Sequence, residues 1–513
     1  MATKTFYLLG EDPSTSQEIE VSSSLDEQGL QHLVASHFAI VDPNGIGFVS
    51  DSVALTAMAD ILAAEGLIAM TIDGKAVREV PGPKGLPFIG NYFEVYPDHL
   101  GNHQRLFEKY GPLVKTTNLG STIYQTNDPT LANIVFSETD FFSKRIIDGH
   151  PLQPIKNKEA GVFLGDTDTE EWKVAHKFLP PALGPKAVRH YAPTMQKTVE
   201  DAFKVFDELD DRDETWNVYP YMLKLGSQAV GKLVLGMDFQ HFAAVDAPPH
   251  EMVMRIAQSL ELNKKITSMR SWYRNLPFGD PQRLRDARRR IEAMMRESVA
   301  NAAKGTEDLE LQEAALQAEN MVDYVLRAKD AKGNKLPVER IMEPLVVATG
   351  AGFTTTSSLL SWLLYGLVYI KETQRRHNPS YQPARTASVD MILPGGYKLP
   401  RDAIVIPAIH HIHNNTKIWD NPTLFDPDRW DTDRVKNRPN ASYVPFAAGP
   451  RMCIGFSFAL QEVKVFLPKL LWGYKFTLAQ DGPVDYDPMF QLIRPNNLYV
   501  RAERRVKWPP KTE

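Results

Sequence analysis

The chain has 513 residues, 43% hydrophobic and 24% charged, a composition of globular rather than disordered proteins. A net charge of −5 without a polybasic run gives no reason to expect nucleic acid or an anionic membrane surface. The single cysteine, Cys453, excludes an intramolecular disulfide and a Cys-rich zinc module, and favours a reducing, intracellular setting.

The N-terminus has no apolar run behind a basic start, so no signal peptide is expected. Residues 1–79 read as a small α+β domain, β-grasp-like in its strand–strand–helix–strand order. TKTFYLLG and QEIEVSS are expected as strands joined by the polar turn GEDPSTS. Ser24 to Glu27 reads as a capping box, followed by Leu30, Leu33, Val34 and Phe38 at helical spacing. IGFVS is expected as a strand and Val53–Glu65 as a second helix. Asp60 and Glu65 argue against a membrane span there. No catalytic constellation is visible in this unit, which reads as a docking or stabilising module.

VPGPKGLPFIGN, residues 80–91, is a rigid Pro/Gly lead-in and marks the domain boundary. Beyond it helical patterns dominate: Pro193–Glu208, Met252–Leu262 and Pro281–Ala303. Strand signals occur in LVKTTNL, STIYQTN, SVDMILPGGYKLP and AIVIPA, and MFQLIRPNNLYVRAE reads as a terminal hairpin. Pro344–Ile370 carries no charge. Its centre, GAGFTTTSS, is small and hydroxylic, so a long helix buried in a soluble core is expected and no transmembrane anchor.

Cys453 stands in FAAGPRMCIG, residues 446–455, ahead of the helical FSFALQEVKVFLPKLLWGY. A lone intracellular cysteine is an inert core residue, a nucleophile or a metal ligand, and only its thiolate serves the last two roles. Gly449 and Gly455 allow a tight turn and close approach to a flat group. Arg451 brings a permanent charge suited to a cofactor carboxylate. The segment resembles the Phe-x-x-Gly-x-Arg-x-Cys-x-Gly haem-binding loop of the haem-thiolate monooxygenases, the cytochromes P450, matching at Phe446, Gly449, Arg451, Cys453 and Gly455. The resemblance runs from about Pro81 to the C-terminus. It implies a mainly α fold with small β-sheets, the cytochrome P450 fold, over residues 80–513.

Further segments resemble family landmarks. KETQR resembles the Glu-x-x-Arg motif at Glu372 and Arg375. FDPDRW resembles the segment whose arginine, here Arg429, joins that pair in a buried network. EEWKVAHKF resembles the helix of haem-propionate donors and places Trp172 and His176 on one face; Arg385 sits where a further propionate arginine is common. AGFTTT resembles the oxygen-activation motif and yields Ala351, Gly352, Thr355 and Thr356, with Thr355 implied as proton donor. Thr354 stands where the family has an acid, so the usual carboxylate is missing from the proton path. GAG lacks the spacing of a dinucleotide loop. His410, His411 and His413 fall where the family has structural residues, so zinc is not expected there.

Only 17 positions separate Thr355 from Glu372, where the resemblance implies a much longer segment. Either a deletion near 367–371 or a mis-spliced gene explains this. The second is favoured because both flanks match up to the break. A true deletion endangers the seating of the Glu372–Arg375 helix.

The resemblance implies a haem b cofactor with Cys453 as axial ligand of the iron, and insertion of one oxygen atom from O2 into an apolar small molecule. The chain looks like the haem domain of the soluble, reductase-fused branch. Electrons are therefore expected from a separate NADPH-dependent flavoprotein reductase, with Lys173 and Lys177 as candidate docking charges. Phe490 and Gln491 lie where the family's terminal hairpin lines the pocket. A fatty acid or a secondary-metabolite intermediate suits as substrate. An intracellular, cytoplasmic location is expected, with peripheral association at the endoplasmic reticulum as the alternative. Two other readings stay open: a haem-thiolate rearrangement or coupling enzyme, and a non-catalytic haem-binding relative.

Overall fold

The N-terminal unit is a mixed five-stranded sheet gripping one helix, in the order β2-β1-β5-β3-β4. The strands are β1 (Ala2–Leu8), β2 (Gln17–Val21), β3 (Ile46–Ser50), β4 (Val53–Leu55) and β5 (Leu67–Ile72). The structure is a computed structural model and describes residues 2–156, 161–302, 307–366, 369–380 and 383–506. β5 runs parallel to β1, giving the β-grasp arrangement. Helix α1 (Glu27–Phe38) covers the sheet with Leu30 and Val34, which join Phe6, Ile68 and Met70 in a fully buried core. Two expectations are corrected. Asp26, not Ser24, caps α1, accepting the Gly29 N–H at 2.7 Å. The segment from Val53 is not one helix: β-branched Val53 joins β4, and only Met58–Ala63 is helical, as α2.

This unit is seated on the rest of the chain. β6 (Arg78–Glu79) pairs in parallel with Tyr397–Leu399, and Ile392 of the adjoining hairpin enters the N-terminal core. Asp73 accepts the Gly395 N–H at 2.7 Å, and Lys398 pairs with Glu11 at 2.8 Å. The Pro/Gly lead-in then lies against Leu113–Asn118. At Gly90, with φ +66°, a Cβ would sit 1.9 Å from the Thr117 carbonyl oxygen, so only glycine fits.

Helices dominate beyond this point. They run over Pro185–Asp211, Glu251–Thr267 and Gly279–Ala302, each longer than the periodicity suggested. The expected strands form at Leu113–Asn118, Ser121–Thr126, Met391–Leu393, Tyr397–Leu399 and Ile404–Pro407. The terminal hairpin is corrected: Tyr499–Arg504 pairs with Tyr474–Leu478, leaving 486–495 as a loop closed by the Asp487 N–H to Arg494 carbonyl bond.

The uncharged segment forms the helix Val338–Tyr365, which ends at Gly366 rather than running to Ile370. A second helix, Ile370–Arg376, leaves at 107°. Residues 367 and 368, within the expected junction, lie outside the described residues. The long helix can be buried because its hydroxyls satisfy themselves. Thr349, Thr354, Thr355, Ser357 and Ser361 each donate to the carbonyl four residues back. It packs along Val218–Val230, where a Cβ on Gly226 would lie 2.7 Å from Ser357 Oγ. Among the described residues no single helix is long and apolar enough to cross a membrane.

Candidate functional site

The Cys453 loop is held by its backbone. The Cys453 N–H donates to the Phe446 carbonyl at 3.0 Å, and a 3-10 turn spans Gly449–Arg451. Gly449 has φ +72°, and a Cβ there would fall 1.9 Å from the Phe136 carbonyl oxygen. Gly455 stands just before the helix Phe456–Gly473, and a Cβ on it would meet nothing within 4 Å. Cys453 and its neighbours Met452 and Phe456 are exposed. The thiol sits in a recess: its surface is accessible, yet the protein around it pushes its pKa up, opposed by the Gly455 N–H.

Beside the loop lies a concentration of cations. Arg451 Nη2 donates to the Gly165 carbonyl at 2.7 Å, and its guanidinium lies over the Trp172 ring, 5.0 Å from the centroid. Burial, with Arg385 nearby, lowers Arg451 to about 10. Trp172 and His176 share a face of the helix Glu170–Phe178, their rings 4.2 Å apart, with His176 Nδ1 at 3.1 Å from the Trp172 carbonyl. Burial, reinforced by the Arg451 charge, lowers His176. Arg385, 2% exposed, pairs with Glu138 at 2.5 Å.

Lys144, unnoticed in the sequence, belongs to this group. It is buried over the Phe163 ring and donates to the Phe163 carbonyl. Burial first, then Arg451 and Arg385, lower its pKa strongly. A lysine between the apolar positions of FFSKRII was the available signal. Glu138, Asp166 and Glu343 are among the acids that act on the cluster.

Three donors of the cluster, Trp172 Nε1, Arg385 Nη2 and Arg451 Nη1, are buried without a hydrogen-bond partner among the described residues. Buried N–H groups of native proteins are nearly always satisfied, and these belong to charged or strong donors. Glu138 Oε1 and Glu343 Oε1 also lack a hydrogen bond there, but what these three donors themselves call for is acceptor oxygens of an anionic group. The donors therefore fit the carboxylates of a cofactor whose metal Cys453 would ligate.

The long helix contributes a second face. Ala351 is exposed and Gly352 half-buried, beside buried Phe353 and Thr354. Thr355 is half-buried with its hydroxyl on the Ala351 carbonyl at 2.8 Å. Thr354 is buried with its hydroxyl committed to the Gly350 carbonyl at 2.7 Å, so it does not replace an acid. Glu462, from the helix after the cysteine, was also unnoticed. It is fully buried, and its carboxyl and the Thr356 hydroxyl approach one another outside good hydrogen-bond geometry. Burial pushes the Glu462 carboxyl well above the usual carboxylate range, with the Thr356 hydroxyl opposing it.

The buried network forms despite the short junction. Glu372 and Arg375 are both 0% exposed, joined by Nε–Oε2 and Nη2–Oε1 bonds of 2.9 and 2.7 Å. Arg429 Nε and Trp430 Nε1 also donate to Glu372, at 3.0 and 3.1 Å. Arg375 reaches the His413 carbonyl at 2.8 Å, and His413 Nε2 accepts the Val444 N–H at 2.9 Å. The network thus ties directly to the segment leading into Phe446. The expected risk to this helix is not realised. His411 Nε2 lies 2.8 Å from the Leu100 carbonyl, and no group of metal-binding side chains of three or more occurs among the described residues. Lys173 is exposed, while Lys177 is tied to Asp330.

A lone thiol on a glycine-bounded loop, beside buried cations with spare N–H groups, is the arrangement a thiolate-ligated, carboxylate-bearing cofactor requires. The chain belongs to the cytochrome P450 family and is a monooxygenase of that family. The family model for cytochrome P450 matches residues 80–369 and 368–500, two stretches that meet at the short junction. The chain is 43% identical to cytochrome P450 monooxygenase alnD of Emericella nidulans, with all of both chains covered. That alignment spans 554 positions, 41 more than the 513 residues here. It is 26% identical to the bifunctional cytochrome P450/NADPH–P450 reductase ascE of Acremonium egyptiacum, covering 83% of this chain and 43% of that one. The fold is that of the cytochrome P450DA heme domain, with a TM-score of 0.73 at 21% identity, covering 84% of this chain and 98% of that one.

Proposed function

We propose that the protein inserts one atom of dioxygen into an apolar small molecule of secondary metabolism, with electrons from a separate NADPH-dependent flavoprotein reductase. The observation that carries this reading is the pairing of Cys453 with the three unspent buried donors. In this reading Cys453 ligates haem iron as thiolate, and Trp172, Arg385 and Arg451 hold the propionates, with Lys144 and His176 beside them. Bound haem would supply the activation of dioxygen, and the thiolate ligand favours O–O cleavage.

The remaining work falls to the chain's own residues. Gly449 lets the loop close on the Phe136 carbonyl, Gly455 leaves open the space its Cβ would take, and Phe446 anchors the Cys453 N–H. Ala351 and Gly352 keep the helix face low for oxygen and substrate. Thr355 holds a proton at Oγ1 on that face. Glu462, a buried carboxyl whose pKa is raised by burial, stands behind Thr356 as the acid the Thr354 position lacks. The Glu372–Arg375–Arg429 network fixes the segment that carries the loop. Residues 1–79 act as a stabilising module on the Met391–Leu399 hairpin, with the catalytic domain over 80–513.

The test is turnover with a purified NADPH-dependent reductase and labelled dioxygen. The expected result is NADPH oxidation coupled to O2 uptake, with one labelled oxygen in the product. A product formed without O2 consumption would overturn the reading in favour of rearrangement chemistry.

A further inference from the structure

Residues 161–165 form a turn that belongs to no helix or strand, so their N–H groups need acceptors from elsewhere. Among the described residues no backbone carbonyl accepts from Gly161, Val162 or Leu164. The acceptor is Glu343, near the start of the helix Val338–Tyr365. Its Oε2 takes the Val162 N–H at 3.3 Å, and the N–H groups of Gly161 and Leu164 act on the same carboxyl. The approach is close: a Cβ on Gly161 would lie 3.2 Å from Glu343 Oε2. Glu343, Val162 and Leu164 are all buried, so water does not serve these groups instead.

The carbonyls of the same turn serve the cations. Arg451 Nη2 donates to the Gly165 carbonyl at 2.7 Å, with the Phe163 and Val162 carbonyls at 3.3 and 3.4 Å. Lys144 donates to the Phe163 carbonyl. Among the described residues this strap supplies every hydrogen bond that the Arg451 and Lys144 side chains make, and neither makes an ion pair. One buried carboxyl thus holds the N–H side of a strap whose carbonyl side holds two cations of the cluster. The same helix carries Ala351 and Thr355, eight and twelve residues further on, so the element that forms the reaction face also registers the cations.

We propose that Glu343 is a positioning residue of the cofactor site: it anchors the 161–165 strap, and through the strap it keeps Arg451 and Lys144 where they receive the cofactor's carboxylates. It acts through these residues rather than on the cofactor itself. The proposal rests on the haem-binding part of the monooxygenase reading, which it extends to a residue behind the propionate donors.

Hydrogen exchange of the 161–165 amides and haem transfer to excess apomyoglobin, both on the full chain, test it. Glu343→Leu removes both acceptor oxygens. The Gly161, Val162 and Leu164 amides should then exchange at least about tenfold faster, the lower end for a hydrogen bond to a charged group, and haem should leave faster by a similar factor. Glu343→Gln keeps one side-chain carbonyl and should fall between the two. Gly161→Ala disturbs the same contact from the strap's side and covers the case in which the Leu variant fails to fold. It should speed both processes, and adding Glu343→Gln to it should change little more, because both act on one contact. Unchanged exchange at 161–164, exchange that rises equally along the whole helix Val338–Tyr365, or a freed strap with unaltered haem transfer would overturn the proposal. A thiolate-type carbon monoxide band in the unaltered protein alongside any of these leaves the monooxygenase reading standing. Failure of the unaltered protein to take up haem would refute that reading instead, and the proposal's link to the cofactor with it, while the exchange rates still show whether Glu343 anchors the strap.

Discussion

Replacing Glu372 by glutamine keeps its shape and removes its charge. In the folded protein that carboxylate faces Arg375 and Arg429, both buried, and accepts from the Trp430 indole and the Asp426 N–H as well. An amide cannot neutralise two guanidiniums, and its one carbonyl oxygen cannot receive every donor. Breaking a buried pair by removing one partner costs about 3–5 kcal/mol. Against a typical total of about 5–15 kcal/mol, that is a large share. Urea unfolding of the full chain, with the haem-to-protein ratio measured alongside, reads the effect. The variant should unfold at clearly lower urea and retain little haem, because Arg375 also holds the His413 carbonyl and hence the path to the cysteine loop. Burial pushes the Glu372 carboxyl up, but the Arg375 bonds and charge, the Asp426 N–H and the Arg429 charge outweigh it, so its pKa is lowered. The stabilisation is therefore complete above the ordinary glutamate pKa and shrinks as pH falls through the lowered value. Equal midpoints for the two proteins at neutral pH would refute the reasoning.

Thr355→Ala should leave NADPH oxidation running while product falls roughly tenfold or more and peroxide rises, measured with the reductase present. Glu462→Gln tests the buried acid. The folded carboxyl's pKa is raised above that of the unfolded chain, so the unaltered protein should lose stability relative to the variant as pH rises from the ordinary glutamate pKa towards the raised one, by up to about 1.4 kcal/mol per pH unit. Unfolding midpoints from pH 4 upward check this, and a constant difference would contradict the account. Gly449→Ala should cost about 1–3 kcal/mol from the left-handed backbone alone. The clash with the Phe136 carbonyl adds to that, and the haem content of the purified protein should fall accordingly.

Legibility differed by kind of signal. The ten-residue loop around Cys453 could be read because two glycines, an arginine and a cysteine each have a separate physical reason to be there. Glu372, Arg375 and Arg429 could be read as partners because their motifs occur in order, although their joint burial is a tertiary fact. Lys144 and Glu462 escaped notice because a single charge in an apolar stretch looks like a surface residue until the packing around it is known. The strand Val53–Leu55 was missed because Val-Ala-Leu also continues a helical pattern, and its pairing with β3 decides the matter. The ends of Val338–Tyr365 were misplaced because an uncharged run does not reveal where the chain turns through 107°. The short junction was visible from spacing alone. That Ile370–Arg376 still seats Glu372 in its network required the structure.

The most direct test of the account is the carbon monoxide difference spectrum of the reduced, purified protein. The account predicts a far-red-shifted Soret band, which Cys453→Ala abolishes. It would mean that this chain, short junction included, holds haem through the Cys453 thiolate. A protein that binds no haem, or whose band is that of a neutral ligand, would contradict it.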